Sequence, residues 1–191
     1  MTRRRVLVGV AVLAVIVLLG FALLLSELVV LIGPGGASMA PTIPTCKGRA
    51  IAEGFTYRFR NPHRGEIAVF RASGELGGTF TPDANASGSL EKRVVGIPGD
   101  TVVGRGGWVL VNGRKADAIR TPEFAAVRLD DDDYFMLGDN RTFSQDSRDF
   151  GPVPRDAIFA RTVLVYWPLG RIGVPEYEKT ATRMPPGDPS C

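Results

Sequence analysis

An uncharged run of twenty residues, Val6–Leu25, most constrains how this 191-residue chain folds. As an α-helix rising about 1.5 Å per residue, such a run is long enough for the hydrocarbon core of a bilayer, which is about 30 Å thick. Three arginines precede it at positions 3–5, and an excess of basic residues marks the cytoplasmic side of a span. We therefore predict a cytoplasmic tail over 1–5, a transmembrane anchor over 6–27, and the bulk of the chain on the outer face.

A cleaved secretory signal is the alternative, because it also has a basic start followed by an apolar run. The run is longer than the usual signal core of about 7–15 residues. A cut after the small residue Ala40 would place Pro41 next and would remove Ser38. We therefore favour a retained anchor.

The remaining composition excludes several classes of protein. Apart from the arginines at 3–5, 20 basic residues balance 20 acidic ones, which argues against nucleic-acid binding. A single histidine, His63 in a predicted loop, leaves little for a metal site, and four consecutive aspartates at 130–133 lack calcium-loop spacing. We expect no cofactor and no metal. Cys46 and Cys191 form no redox or ligand spacing, and whether they pair stays open.

Ser38 lies in a stretch that mixes flexible and rigid residues, Gly35-Gly36-Ala37-Ser38-Met39-Ala40-Pro41-Thr42. On its own such a serine is usually a turn residue. Ser38 comes twelve positions after Ser26, and a fully extended chain of that length reaches at most about 40 Å. We expect Ser38 to lie near the membrane surface.

Lys92 is an unusual residue in this chain, which has 4 lysines against 19 arginines. Its segment, Leu90–Ile97, predicts a strand in which Leu90, Lys92 and Val94 share one face. From the pattern alone, an edge lysine that opposes aggregation and a catalytic lysine both stay open. A lysine acts as a base only when neutral, and about 0.4 % is neutral at pH 8 for an unperturbed pKa near 10.4. Burial among apolar neighbours would lower that pKa.

Four motifs occur in a fixed order. They are Ser-Met-x-Pro-Thr from Ser38, Arg-Gly-Glu-Ile-Ala-Val-Phe from Arg64, Lys-Arg-Val-Val-Gly-x-Pro-Gly-Asp from Lys92, and Gly-Asp-Asn-Arg from Gly138 with Asp-Ser-Arg from Asp146. In this order they resemble the bacterial type I signal peptidases, a family of serine endopeptidases with a Ser/Lys dyad. Two residues depart from the family pattern: Glu66 stands where aspartate is usual, and Glu91 where an apolar residue is common.

The resemblance implies a role for each matching residue. Ser38 attacks the scissile carbonyl, Lys92 takes its proton, and Ser144 orients the lysine. Asp139, Asp146 and Arg148 hold the site together by ion pairing. The backbone N–H of Ser38 is the natural donor to the oxyanion. Some family members add a serine two residues before the nucleophile, but here that position is Gly36, so the second donor stays open.

The resemblance also implies the substrates and the location. Exported preproteins would present an extended Ala-x-Ala segment to the cleft as an added strand, and we expect Ile32 and Leu90 to form walls of its pockets. The enzyme would lie in the bacterial plasma membrane, near the secretion translocon, with the catalytic domain outside. A self-cleaving Ser/Lys repressor would need a DNA-binding domain in place of the membrane span. A non-catalytic β-domain that binds an envelope partner is the alternative from another class.

Short runs with turn signals predict a mainly β fold for residues 28–175. The resemblance adds strongly twisted antiparallel sheets in a barrel-like arrangement. Asn112-Gly113 predicts a hairpin turn within a short insertion over 101–135. The last strand is predicted over Phe159–Trp167, and a loose tail over 176–191.

Overall fold

The computed structural model describes residues 3–33, 36–45, 47–74, 80–83 and 85–175. The cysteine pair considered above, Cys46 and Cys191, lies outside the described residues, as does the tail predicted over 176–191.

The first element is a long helix, α1 (Arg3–Leu28). The side chains of residues 7–20 in this helix are exposed. No helix in the described part of the chain is long and apolar enough to cross a membrane. The span over 6–27 therefore stays a prediction.

The larger sheet has eight strands, and every neighbouring pair in it is antiparallel. The strands are Val29–Ile32 (β1), Arg49–Glu53 (β2), Ile67–Ser73 (β3), Thr81–Pro82 (β4), Ser89–Gly96 (β5), Asp133–Leu137 (β10), Val153–Pro154 (β11) and Ile158–Trp167 (β12). Seven of them run in the order β1-β2-β12-β3-β5-β10-β11, while β4 pairs with β3. A one-turn helix, α2 (Ser147–Phe150), lies between β10 and β11.

A second, four-stranded sheet is inserted between β5 and β10. It contains Thr101–Arg105 (β6), Trp108–Val111 (β7), Arg114–Lys115 (β8) and Phe124–Arg128 (β9), in the order β8-β7-β6-β9. Asn112 and Gly113 join β7 to β8 with φ angles of 51° and 77°, the left-handed conformation that this dipeptide favours. The predicted Asn-Gly turn is confirmed. The range predicted for the insertion, 101–135, thus contains the small sheet and also the first residues of β10.

From Lys92 to Gly96, strand β5 is buried on both faces and packs against both sheets. Val94 packs with Phe70 and Met136 in a core cluster of the larger sheet. Val95 packs with Phe135 and Val102 in a cluster shared with the small sheet. The mainly β, antiparallel prediction is confirmed, and the barrel-like arrangement stays a prediction of the resemblance.

One edge of β5 is open beside Lys92. Strand β3 pairs with β5 from Ser89 to Arg93, whereas β10 pairs only from Arg93 to Gly96. Among the residues that the structure describes, no strand covers the second edge over 89–92. An extended peptide can therefore add a strand at this place.

Candidate active site

Ser38 lies in a short 3-10 helix, Ala37–Met39, that follows β1. The side chain of Met39 is 3 % exposed and packs in a core cluster with Ile32. The carbonyl oxygen of Ser38 accepts a hydrogen bond from the backbone N–H of Asn140 at 3.0 Å. The core and the Asn140 loop together fix the backbone of Ser38, whose side chain is half-buried.

Lys92 reaches Ser38 from the middle of β5. Its Nζ donates a hydrogen bond to Ser38 Oγ at 2.8 Å, and the residue is only 3 % exposed. Burial lowers the pKa of Lys92, while the charges of Asp146, Glu91 and Asp139 oppose that shift. A lysine with a lowered pKa and a serine hydroxyl within hydrogen-bonding distance have the geometry of a base and its nucleophile.

The Asp139 carboxylate is fully buried and forms an ion pair with the fully buried guanidinium of Arg93. Arg93 Nε and Nη2 donate to its two oxygens at 2.7 and 2.6 Å, and Thr42 Oγ1 donates to it at 2.5 Å. Because Asn140 follows Asp139, this cluster also positions the N–H that holds Ser38. Sequence analysis did not identify Arg93 or Thr42. The alternation along β5 was the available signal for Arg93, because it places this residue on the face opposite Lys92. A guanidinium buried on that face needs a carboxylate partner.

Asp146 is fully buried and caps the N-terminus of α2. Its carboxylate accepts hydrogen bonds from Arg148 Nε at 2.7 Å and Nη2 at 2.9 Å, and from the backbone N–H of Gly138 at 3.0 Å. The Asp146–Arg148 ion pair and the bond to Gly138 thus connect α2 to the loop that carries Asp139 and Asn140. One more carboxylate, Asp149, completes the cap by accepting from the Asp146 N–H at 3.0 Å.

Ser144 lies against Gly138 in the same loop. Its Oγ donates to the carbonyl oxygen of Gln145 at 3.4 Å. Within the described ranges no hydrogen bond joins it to Lys92, so its lysine-orienting role stays a prediction. A Cβ atom added to Gly138 would lie 2.2 Å from Ser144 Oγ and 2.5 Å from the carbonyl oxygen of Ser38. Only glycine therefore fits where these two serines approach each other.

The two predicted pocket residues pack in different clusters. Ile32 is 6 % exposed and lies in the cluster that contains Met39, whereas Leu90 is half-buried against the cluster of Phe70. Their role as pocket walls stays a prediction. Glu91, the residue between Leu90 and Lys92, is half-buried, and burial raises the pKa of its carboxyl against the opposing charge of Lys92.

The remaining positions considered in the sequence are Gly36, His63 and the groups that could bind a metal ion. Gly36 has extended backbone angles of φ −68° and ψ 178°, and a Cβ added there would meet nothing within 4 Å. His63 is exposed, as expected for a loop residue. In the part of the chain that the structure describes, no group of three His, Cys, Asp or Glu side chains could hold a metal ion.

A protein-family model and two similar curated proteins both point to signal peptidases. The family described as signal peptidase, peptidase S26, matches residues 4–167. A probable signal peptidase I-2 of Synechocystis sp. is 38% identical over 157 residues, which is 78% of this chain and 69% of that protein. A signal peptidase I of Leptolyngbya laminosa is 38% identical over 141 residues, 71% of this chain and 68% of that protein.

Among solved structures, a signal peptidase I from Enterococcus faecalis V583 matches with a TM-score of 0.40 and 26% identity. The match covers 52% of this chain and 94% of that one. The family match extends over most of the chain and includes all four ordered motifs. It decides against the non-catalytic envelope-binding domain. The chain belongs to the signal peptidase family, peptidase S26, and is a serine endopeptidase that removes signal peptides.

Proposed function

We propose that Ser38 is the nucleophile of this peptidase and Lys92 its general base, acting on Ala-x-Ala sites of exported preproteins. The observation that carries the proposal is the 2.8 Å contact between Lys92 Nζ and Ser38 Oγ in a buried setting that lowers the pKa of the lysine. Arginine could not serve in place of Lys92, because a guanidinium stays protonated in proteins.

In the first half-reaction, neutral Lys92 Nζ takes the Ser38 hydroxyl proton as Oγ attacks the carbonyl carbon of the −1 residue. The negative charge on the carbonyl oxygen is stabilised by the backbone N–H of Ser38. Lys92 then gives the proton to the leaving amine as the peptide bond breaks. The mature protein leaves, and the signal peptide remains joined to Ser38 as an ester.

In the second half-reaction, Lys92 takes a proton from a water molecule that attacks the ester. The ester bond breaks, Ser38 recovers its proton through Lys92, and the signal peptide leaves with a new carboxyl group, which loses its proton to solvent. Asp139, Asp146 and Arg148 support this chemistry by fixing the loop against Ser38, and Ser144 orients the lysine. Each is a positioning residue in this scheme.

The open edge of β5 supports the proposed mode of substrate binding. A cleavage segment in extended form can pair with residues 89–92, which brings its scissile carbonyl to the Ser38–Lys92 pair. Small side chains at −1 and −3 would then point to the same side, because side chains alternate along a strand. Ile32 and Leu90 are the proposed pocket walls.

The sequence supports a membrane location for the same reaction. Residues 6–27 would anchor the chain with its N-terminus in the cytoplasm and the catalytic domain outside, near the translocon that delivers preproteins. The signal helix of the substrate lies in the same bilayer. Holding both partners at one surface raises their effective concentration, so weak contacts in the cleft suffice.

The test is cleavage of an Ala-x-Ala preprotein by the detergent-solubilised full chain, with product termini read by mass spectrometry. Ser38→Ala and Lys92→Arg should each abolish cutting after the −1 alanine while thermal unfolding shows a folded protein. Lys115→Arg, at an exposed position in the small sheet, is the matched control and should keep full activity. Continued cutting by either active-site variant would remove the dyad from the mechanism.

A further inference from the structure

Arg141 is a buried side chain to which the mechanism assigns no role. It is 2 % exposed, and its guanidinium is bound on both sides. On one side Nη2 donates to the Asp117 carboxylate at 2.6 Å, and Nη1 donates to Thr121 Oγ1 at 2.6 Å. On the other side Nε donates to the carbonyl oxygen of Gly138 at 2.9 Å. Arg141 therefore connects the loop after β8 to the loop that holds the active site.

Both partners of Arg141 are also held by hydrogen bonds within the inserted region that do not involve the arginine. Asp117 Oδ1 accepts from the backbone N–H of Ile119 at 2.8 Å, and Thr121 Oγ1 donates to the carbonyl of Ile119 at 3.1 Å. The Thr121 N–H donates to the Gly107 carbonyl, in the turn between β6 and β7, at 3.1 Å. The two acceptors thus have set positions that depend on the fold of the inserted sheet.

Gly138 is the point where this connection meets the reaction. Its carbonyl is held by Arg141 and its N–H by Asp146. The Cα of Gly138 lies so close to the Ser38 carbonyl and the Ser144 side chain that no Cβ would fit. A displacement of Gly138 would therefore move the backbone of Ser38, whose Oγ must stay within reach of Lys92.

We propose that Asp117 and Thr121 are positioning residues of the cleavage reaction, which act through Arg141 to hold Gly138, and with it Ser38, in the geometry for attack. The inserted small sheet is then part of the support of the active site. This inference rests on the proposed Ser38–Lys92 mechanism. Neither positioning residue lies at the open edge of β5, so the effect belongs to kcat and not to KM.

The direct test is Asp117→Asn in the detergent-solubilised full chain. The amide keeps the size of the side chain and an acceptor for the Ile119 N–H, but it loses the charge that faces Arg141. We expect kcat to fall by about tenfold or more, since small displacements of reacting groups have effects of this size. KM should stay within about twofold. The acid limb of the kcat profile should move to higher pH, because a looser site hydrates Lys92 and favours its charged form.

The matched control is Asp100→Asn. Asp100 is also a carboxylate, placed in the turn just before the insertion, 3 % exposed and paired with an arginine, Arg64. Within the described residues, none of its hydrogen bonds reaches the Gly138 loop. This variant should lower the unfolding temperature while kcat stays within about twofold of the wild type. Equal loss of kcat in the two variants, in proportion to their loss of stability, would overturn the inference.

Thr121 provides a second pair of variants with a smaller perturbation. Thr121→Val removes the hydroxyl at similar volume and should lower kcat, whereas Thr121→Ser retains the hydroxyl and should keep it. If Asp117→Asn does not fold, this pair decides, and equal kcat for valine and serine would reject the positioning role. Ser38→Ala in the same assay distinguishes a failure of the proposed mechanism from a failure of this inference. Continued cutting by Ser38→Ala would overturn the mechanism. An inactive Ser38→Ala together with a fully active Asp117→Asn would overturn only this inference.

Discussion

At the scale of single residues, the proposed mechanism makes the rate depend on the charge state of Lys92. Burial lowers its pKa, and the neighbouring carboxylates of Asp146, Glu91 and Asp139 raise it. Glu91→Gln removes one of these charges and keeps the size of the side chain, so the pKa of Lys92 should fall further. A larger fraction of the lysine is then neutral at a given pH. We expect the acid limb of kcat against pH to move to lower pH in cleavage of an Ala-x-Ala preprotein.

The sign of this effect depends on Glu91 being ionised. Burial raises the pKa of its carboxyl, so the difference between wild type and Glu91→Gln should be full above that pKa and should vanish below it. Glu123→Gln, at the exposed residue just before β9, removes a carboxylate charge away from Lys92 and should leave the profile unchanged. A Glu91→Gln profile that moved to higher pH would contradict the assignment of Lys92 as the base.

Gly36 offers a test of the oxyanion site. A serine here adds a hydroxyl two residues before Ser38, and neither the backbone angles nor the surrounding space oppose a side chain. We expect Gly36→Ser to raise kcat, by up to about tenfold, if the hydroxyl reaches the developing oxyanion. Gly36→Ala adds only the Cβ and should match the wild type. Equal kcat for the serine and alanine variants would place the second donor elsewhere.

At the scale of elements, the loop from Gly138 to Asp146 sets the geometry of the site. In Gly138→Ala the new Cβ would press on backbone, the Ser38 carbonyl oxygen at 2.5 Å, as well as on Ser144. We expect kcat to fall by about 100-fold and the free energy of unfolding by about 1–3 kcal/mol, measured by cleavage and by denaturant titration. Gly170→Ala is the control, since a Cβ there would meet nothing within 4 Å. Unchanged kcat in Gly138→Ala would show that the loop tolerates displacement.

Local patterns in the sequence were enough to predict some of these elements. The alternation over β5 gave both the strand and the shared face of Lys92 and Val94, and the Asn112-Gly113 dipeptide gave its hairpin turn, because both depend only on neighbouring residues. The ion pairs of Arg93 with Asp139 and of Arg141 with Asp117 could not be predicted this way. Their partners are 46 and 24 residues apart, and only the packed sheets bring them together.

At the scale of the whole molecule, the site joins segments that are distant in the chain. Ser38 follows β1 and Lys92 lies on β5, 54 positions later in the chain. The ordered motifs predicted that these residues work together, but not which contacts hold them. The structure supplies those contacts in the form of buried ion pairs, and removing one partner of such a pair is strongly destabilising because it leaves an uncompensated buried charge. In the proposed mechanism, the reaction therefore depends on both sheets and on the loop between them.

Membrane anchoring is the prediction that concerns the molecule as a whole. Residues 6–25 are uncharged, and a charged residue at the centre of a span disfavours insertion by about 2.5–3.5 kcal/mol. We expect the wild type to stay in the membrane pellet after extraction at alkaline pH, and Leu13→Asp combined with Ile16→Asp to be released. Leu31→Asp, at a position of β1 that is 69% exposed, adds a charge outside the run and should leave the protein in the pellet. Release of the wild type, or retention of the doubly charged variant, would contradict the anchor. An anchor would concentrate enzyme and preprotein at one surface. Relative to the wild type, the released variant should therefore lose more of its rate on membrane-bound preprotein than on a soluble peptide of the same cleavage sequence.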